Sequence, residues 1–358
     1  MERYRESDRL AVLLPSLPPG QTFMHVFELT RKLIDIESIT PNEERVGVFL
    51  HDHLQQLAAA TGGAVEFMDV EPGRKNVFAH WGDPIVTLST HMDTVPPFFA
   101  SREDGEYIWG RGACDTKGII ASMIAAAEQL LAERATNFGL LFVVGEERNS
   151  AGAFHAAKHP RGSRFLVNGE PTENHLALGS KGAMRFEIHA KGRMAHSAYP
   201  ELGESAIEKL LDALDKVRHL PLPFDEILGP STLNIGTLRG GRAPNVIPDE
   251  AQAELFIRLV NDGLATRRQV HTLLEPAVEV RDVLTIPAIH LGHLDGIPAT
   301  VVAYTTDIPA FGGSWGQPFL IGPGTIHVAH TDQERVPKRQ LEEAVQIYKK
   351  LVRELPLQ

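Results

Sequence analysis

Apolar positions recur along this chain in two rhythms, one helical and one strand-like. Over residues 22–37 the positions Phe23, Val26, Phe27, Leu29, Leu33 and Ile34 fall at helical spacing and predict an amphipathic helix. A second helix is predicted from about Pro41, since proline is comfortable in a first turn, to Ala60. Short apolar runs follow: AVEFMDV, NVFAHW and IVTLST. The Ala-rich run KGIIASMIAAAEQLLAER predicts a long helix over 117–134, and LLFVVG and FLVNG predict two more buried strands. Strands without a polar face, alternating with helices, belong in a largely parallel sheet covered on both sides.

Near Ser180 the rhythm changes. Residues 183–190 (AMRFEIHA) alternate, as a half-exposed antiparallel strand does. A helix is predicted at 203–217, alternating stretches at STLNIGTL and EAQAELFIRLV, and another helix near 263–275. After about 285 the apolar runs return as ATVVAYTT and PFLIGPG. A last helix, Lys338 to Glu354, spaces Leu341, Ala344, Val345 and Ile347 along one face. The expected fold is α/β: a mostly parallel sheet sandwiched by helices, built from residues 1–179 and 286–358, with an inserted α+β domain at 180–285. A chain of 358 residues is longer than one core usually serves, which agrees with two domains.

Charge narrows the function. The formal charge is −11 with no basic run, which argues against nucleic acid and anionic membrane as partners. The single cysteine, Cys114, leaves no internal disulfide and fits a reducing compartment. The N-terminal stretch MERYRESDRLAVLLPSLPPG is too short and too proline-broken for a signal or membrane-spanning segment, so a cytoplasmic protein is expected.

Candidate chemistry then appears by position. His91 and Asp93 follow IVTLST, Glu146 and Glu147 follow LLFVVG, and Glu170 follows FLVNG. His330 lies just beyond PFLIGPGTIHVA, and Asp115 sits where WGRGACDTKG enters the Ala-rich helix. Open α/β sheets place their sites past the carboxyl ends of strands. Any one of these residues could be a cap, a surface charge or a satisfied core polar group; so many at strand ends of one sheet argue for a site. His91 and Asp93, two apart, leave the same face of extended backbone, which suits a histidine ligand steadied by a carboxylate. Asp115 could bridge two cations or cap the helix, and the two roles are compatible. Glu146 and Glu147 point to opposite sides, which divides them into one ligand and one free base. Imidazole and carboxylate without thiolate suit zinc, manganese or cobalt. The H-E-x-x-H, G-x-x-x-x-G-K-[ST], G-x-S-x-G and G-x-G-x-x-G patterns are absent.

The motifs STHMDTVPP, WGRGACDTKG, VVGEERNSAGA, VNGEPTEN, GRMAHSAYPELGESAI, GGRAPNVIPDEAQAELFIRL and GPGTIHVAHTDQERV occur in the order found in a known family. From about residue 25 onward the chain resembles the dinuclear zinc hydrolases that include acetylornithine deacetylase, succinyl-diaminopimelate desuccinylase, the aminoacylases and glutamate carboxypeptidase. The resemblance implies two divalent cations per subunit, zinc with cobalt or manganese as alternatives. His91, Asp115 and Glu170 would hold one and Asp115, Glu147 and His330 the other. Asp93 would orient His91, and Glu146 would be the general base. The inserted domain would be a lid and dimerisation domain, whose His196 reaches the partner subunit's site and steadies the oxyanion. Asn245 and Arg258 resemble the family's substrate contacts, Arg258 as carboxylate anchor, and Gly313 belongs to a substrate-facing loop. Gln333 before Glu334 and Thr116 after Asp115 depart from the family's commoner residues, and the 305–317 loop matches no one member's substrate signature.

The expected activity is metal-dependent hydrolysis of the amide bond of a small N-acyl amino acid, close to acetylornithine deacetylase, by a homodimer. A di- or tripeptidase or carboxypeptidase of the same family is the alternative. A non-catalytic ligand-binding relative would have lost Glu146 or a ligand. A two-metal phosphoesterase would want Arg or Lys beside the carboxylates. Without the resemblance, His196 reads as a surface histidine, Arg258 as the partner of a neighbouring carboxylate, and Trp109 and Trp315 as packing.

Overall fold

The computed structural model describes residues 24–357, so the N-terminal stretch discussed above and the first two residues of the first predicted helix lie outside the described residues. The chain divides into two compact units. The first comprises Met1–His175, Leu294–Ile297 and Ala310–Gln358; the second comprises Leu176–His293 and Pro298–Pro309.

The first unit contains helices α1 (Val26–Ile34), α2 (Glu44–Thr61), α3 (Gly118–Ala132), α4 (Ala151–Ala157) and α5 (Lys338–Glu354). Its central strands are β1 (Ala64–Glu71), β2 (Arg74–Trp81), β3 (Val86–His91), β4 (Phe138–Val143), β5 (Phe165–Asn168) and β6 (Gln317–Leu320). They form one sheet in the order β1-β2-β4-β3-β5-β6. β3 runs parallel to β4 and to β5, and β6 parallel to β5, while β1 and β2 add an antiparallel edge. Every residue of β3 and β4 is buried, which is why both read as continuous apolar runs. Phe78, Leu141, Val143 and Leu166 pack with Ala153 and Ala156 of α4 and with Trp315 on one face. Leu140 and Phe142 alternate to the other, where α3 lies. Each such fully buried side chain contributes about 1.5–3 kcal/mol. Trp315 is fully buried and donates its indole N–H to Ala156 O at 2.8 Å, so it is a packing residue, as the sequence suggested.

α2 begins at Glu44, three residues after Pro41, and the reason is tertiary. Residues 38–40 run beside 92–94: Thr94 N donates to Ser38 O at 3.0 Å and Thr40 N to Thr94 O at 3.2 Å. Asn42 N then closes a turn on Ile39 O at 2.7 Å before the helix starts. This pairing brings Thr40 against the segment that carries Asp93.

In the second unit Gly182–Lys191, Thr232–Gly240, Glu250–Leu259 and Glu279–Ile286 form an antiparallel sheet. Met184, Phe186, Ile188, Leu255 and Ile257 point to one face and pack against Leu210 and Leu214 of the helix Ala206–Arg218 and Val270 and Leu274 of the helix Leu264–Leu274. A smaller sheet joins Leu176–Ser180 to Ile289–His290 and, in parallel, to Ala299–Val302. The ATVV run therefore belongs to the second unit, and PFL, within β6, is the run that returns to the large sheet. Hydrophobic periodicity marks a buried strand but does not say which sheet it joins. Among the described residues no helix is long and apolar enough to cross a membrane.

Candidate metal centre

Because β3 lies between β4 and β5 and parallel to both, the carboxyl ends of the three strands stand side by side; His91 pairs in register with Val143, and Ser89 with Asn168. The loops that leave them carry His91–Asp93, Glu146–Glu147 and Glu170. That is the open-sheet geometry in which sites form.

Asp115 is the hub. Its Oδ1 lies 3.0 Å from His91 Nε2 and its Oδ2 lies 3.1 Å from His330 Nε2. His330 Nε2 is also 3.1 Å from Glu147 Oε2 and 3.2 Å from Oε1. One ligand atom each from His91, Asp115 and Glu147 falls within 4.8 Å of the others. One carboxylate thus faces two imidazoles with its two oxygens, and a second carboxylate shares one of those imidazoles. This donor set fits two neighbouring divalent cations bridged by Asp115. Glu170 is buried, and the negative charges of Glu146 and Glu170 add to those that raise the His91 pKa.

The electrostatics agree. Burial works to lower the His91 pKa, but the bonds to Asp115 and Asp93 raise it well above its ordinary value. The Asp115 and Glu147 carboxylates hold His330 up at about 10, against a smaller effect of burial. Burial pushes Glu147 up, whereas in Asp115 the two imidazoles outweigh burial and hold the carboxyl well below its usual range.

Asp93 has more partners than its expected one. Its Oδ1 is 3.5 Å from His91 Nδ1, while the Asp93 carbonyl oxygen is nearer to that nitrogen, at 3.0 Å. The carboxylate itself accepts three consecutive amides: Gly145 at 2.9 Å, Glu146 at 3.1 Å and Glu147 at 3.2 Å. Thr40 Oγ1 donates to it at 2.7 Å. Asp93 therefore builds the backbone of the loop that presents Glu146 and Glu147. Gly145 turns that loop at φ 82°, a left-handed backbone conformation that favours glycine.

The Asp115 loop is braced separately. Thr116 Oγ1 donates to His91 O at 2.5 Å, and Lys117 Nζ, buried, donates to Ile36 O at 2.6 Å. Glu334 and Arg111 are buried as an ion pair behind the loop. Burial and the Asp115 charge push Glu334 up to about 7 against the pull of Arg111, and burial brings Lys117 down to about 7. Sequence reasoning treated Glu334 only as the neighbour of Gln333 and gave no role to Arg111 or Thr40. Glu334 stands between Gln333 and Arg335 and Arg111 between two glycines, so nothing local marks either as buried or identifies a partner 223 residues away.

Three expected residues belong to the second unit. His196 and Asn245 come together there: His196 pairs with Val246, and Ser197 N donates to Asn245 O at 3.0 Å. Both side chains are exposed, and His196 Nδ1 accepts the Ala198 amide at 3.1 Å. Arg258 is half-buried, with its guanidinium 4.8 Å from the Phe256 ring, and burial lowers its pKa. Among the described residues no carboxylate pairs with it. Gly313, in the first unit, is exposed at φ 76°.

Comparison with known proteins places this arrangement. Residues 87–354 match the model of peptidase family M20/M25/M40. A peptidase M20 domain-containing protein of Schizosaccharomyces pombe is 38% identical over 94% of this chain and 85% of its own length. A probable carboxypeptidase of Neosartorya fischeri is 38% identical over 90% of this chain and 84% of its own. Among solved structures, the aminopeptidase PepT of Bacillus cereus superposes with a TM-score of 0.78 at 19% identity, covering 92% of this chain and 98% of that one. A dinuclear metal-binding peptidase of Bacillus subtilis superposes at 0.66 and 17% identity, covering 91% and 96%. These structural likenesses concern the fold.

Proposed function

The chain belongs to peptidase family M20/M25/M40 and is a metallo-hydrolase, and from that premise we propose that it cleaves the amide bond of a small N-acyl amino acid. The observation that carries the proposal is Asp115 facing His91 and His330 with its two oxygens while Glu147 shares His330. A second reading, cleavage of a short peptide by a carboxypeptidase, is favoured by the relatives named probable carboxypeptidases. In both, the departing amine belongs to an amino acid with a free carboxylate.

His91, Asp115 and Glu170 would hold one divalent cation and Asp115, Glu147 and His330 the other, with zinc as the expected ion. When bound, such a pair polarises the amide carbonyl and brings the pKa of a water down from about 15.7 towards neutrality. Glu146 takes the proton of the attacking water as the new C–O bond forms, then delivers it to the nitrogen as the C–N bond breaks. His196 donates to the oxygen that gains negative charge. Arg258 pairs with the substrate carboxylate, Asn245 contributes a polar contact, and Gly313 lets the backbone of its loop approach the substrate closely. The second unit also serves as lid and dimer contact, so that His196 acts on the partner subunit's site. The enzyme works in the cytoplasm, where Cys114 stays reduced.

The test is amide hydrolysis over a panel of N-acetyl-ornithine, N-acetyl-lysine, N-succinyl-diaminopimelate, N-acyl-glutamate and dipeptides, before and after chelation. Chelator-sensitive turnover that returns with Zn²⁺ or Co²⁺ supports the class, and the best substrate separates the two readings. Absence of turnover after reconstitution contradicts both.

A further inference from the structure

Glu334 and Arg111 are among the most deeply buried charged residues of the first unit. Arg111 Nη1 donates to Glu334 Oε2 at 2.5 Å, and Arg111 Nε donates to Pro97 O at 3.2 Å, which holds the guanidinium from a second side. The other carboxylate oxygen, Glu334 Oε1, accepts the amide of Gly112 at 2.9 Å and that of Asp115 at 3.3 Å. The Glu334 carbonyl oxygen accepts the amide of Gly110 at 3.2 Å. Glu334 therefore grips the 110–115 loop by backbone and side chain together. Gly112 turns that loop at φ 89°, a left-handed backbone conformation that favours glycine.

The same residue stands one short loop after His330. It joins the segment that presents His330 to the loop that presents Asp115, the two residues whose side chains meet at 3.1 Å. A bridging carboxylate must keep both oxygens aimed at once, and a loop free to rotate about the Asp115 backbone would satisfy one side at the cost of the other. A buried ion pair is poor evidence of stability by itself, because desolvation offsets most of its attraction. Its geometry here is better accounted for by orientation.

We propose that Glu334 is the positioning residue of the bridging carboxylate: held by Arg111, it fixes Asp115 through the Gly112 and Asp115 amides and so sets the affinity of the cation pair. It acts from behind the loop, on backbone groups. The inference rests on the two-cation reading and extends it to a residue with no ligand role.

The test is titration of the full-length, cation-stripped protein with Co²⁺, following stoichiometry, affinity and the visible absorption of the bound ion. Glu334→Ala removes the grip on both amides and is expected to weaken the cation pair about 10–100-fold and to shift the Co²⁺ band. Glu334→Gln retains an acceptor oxygen and should fall between Glu334→Ala and wild type. If Glu334→Ala does not fold, Glu334→Gln and Arg111→Lys carry the test, each with a smaller loss in the same direction. Leu54→Ala, a core truncation in α2, is the control for stability alone and should lower Tm while leaving cation affinity unchanged. Wild type binding two Co²⁺ while the folded Glu334 variants bind two with unchanged affinity and band overturns this proposal alone. An equal loss of affinity in Leu54→Ala overturns it as well. Wild type that fails to bind two cations removes the two-cation reading and this proposal together.

Discussion

In the first unit His91, Asp93 and Asp115 are 1%, 0% and 5% exposed and bonded to one another or to neighbouring amides. In the second unit His196 and Asn245 stand in solvent, and Arg258 is half-buried without a carboxylate partner among the described residues. The difference is one of timing. Ligands that must receive a small cation have to be aimed beforehand, because every degree of freedom left to them is lost on binding. That aiming is done by hydrogen bonds to backbone, which are strong only where water is kept out. A residue that meets its target only when substrate arrives has no such need, and burying it early would leave a polar group unsatisfied. Burial and cross-bracing therefore mark His91, Asp93 and Asp115 of the candidate metal centre, whereas His330 reaches Asp115 and Glu147 with 51% of its side chain exposed; the residues proposed for substrate are exposed or half-buried.

The sharpest way to break that contrast is Asp115→Asn, which keeps the shape of the hub and removes its charge. Neither cation should bind at stoichiometric levels, and turnover should fall at least as far as loss of the general base takes it, about 10²–10⁴-fold. Metal analysis after dialysis reads the first effect and a substrate assay the second. Glu146→Ala comes next: turnover should drop about 10²–10⁴-fold with two cations still bound, and near-wild-type turnover would remove Glu146 from the mechanism. His196→Ala probes the exposed class. It should cost about 10²–10³-fold in kcat, the usual loss of an oxyanion donor, with cation content unchanged. Mixing His196→Ala with Glu146→Ala subunits should then restore part of the activity if the histidine acts in trans. Arg258→Met should raise KM about tenfold or more with little change in Tm, since the arginine has no ion pair within its own unit to lose. Thr40→Val is the smallest and returns to the braced class. It removes one donor from Asp93 and should cost about 1 kcal/mol in urea unfolding with only a few-fold loss of turnover.

Much of this architecture was legible along the chain because buried parallel strands and strand-end polar residues are local signals. IVTLST followed by His91 and Asp93 located both a strand and two members of the site, and the Ala-rich run located α3 within two residues of its ends. What stayed hidden depends on distant partners. Proline suits a first turn and so favours a start of α2 near Pro41, but the pairing of 38–40 with 92–94 delays the helix and also delivers Thr40 to Asp93. Asp93 read as a support for His91, since two residues of extended backbone share a face. Its three amide bonds come from a loop more than fifty positions later, which no spacing rule reaches. The Arg111–Glu334 pair is hidden in the same way, as two charges with nothing local to join them.

The central claim is that the first unit carries a two-cation centre bridged by Asp115. The most direct test is cation stoichiometry of the wild-type protein after stripping and reconstitution with Zn²⁺, measured beside Asp115→Asn and His196→Ala. The account predicts two cations per chain in wild type and in His196→Ala, and loss of both in Asp115→Asn. One cation or none in wild type, or two retained in Asp115→Asn, would contradict it.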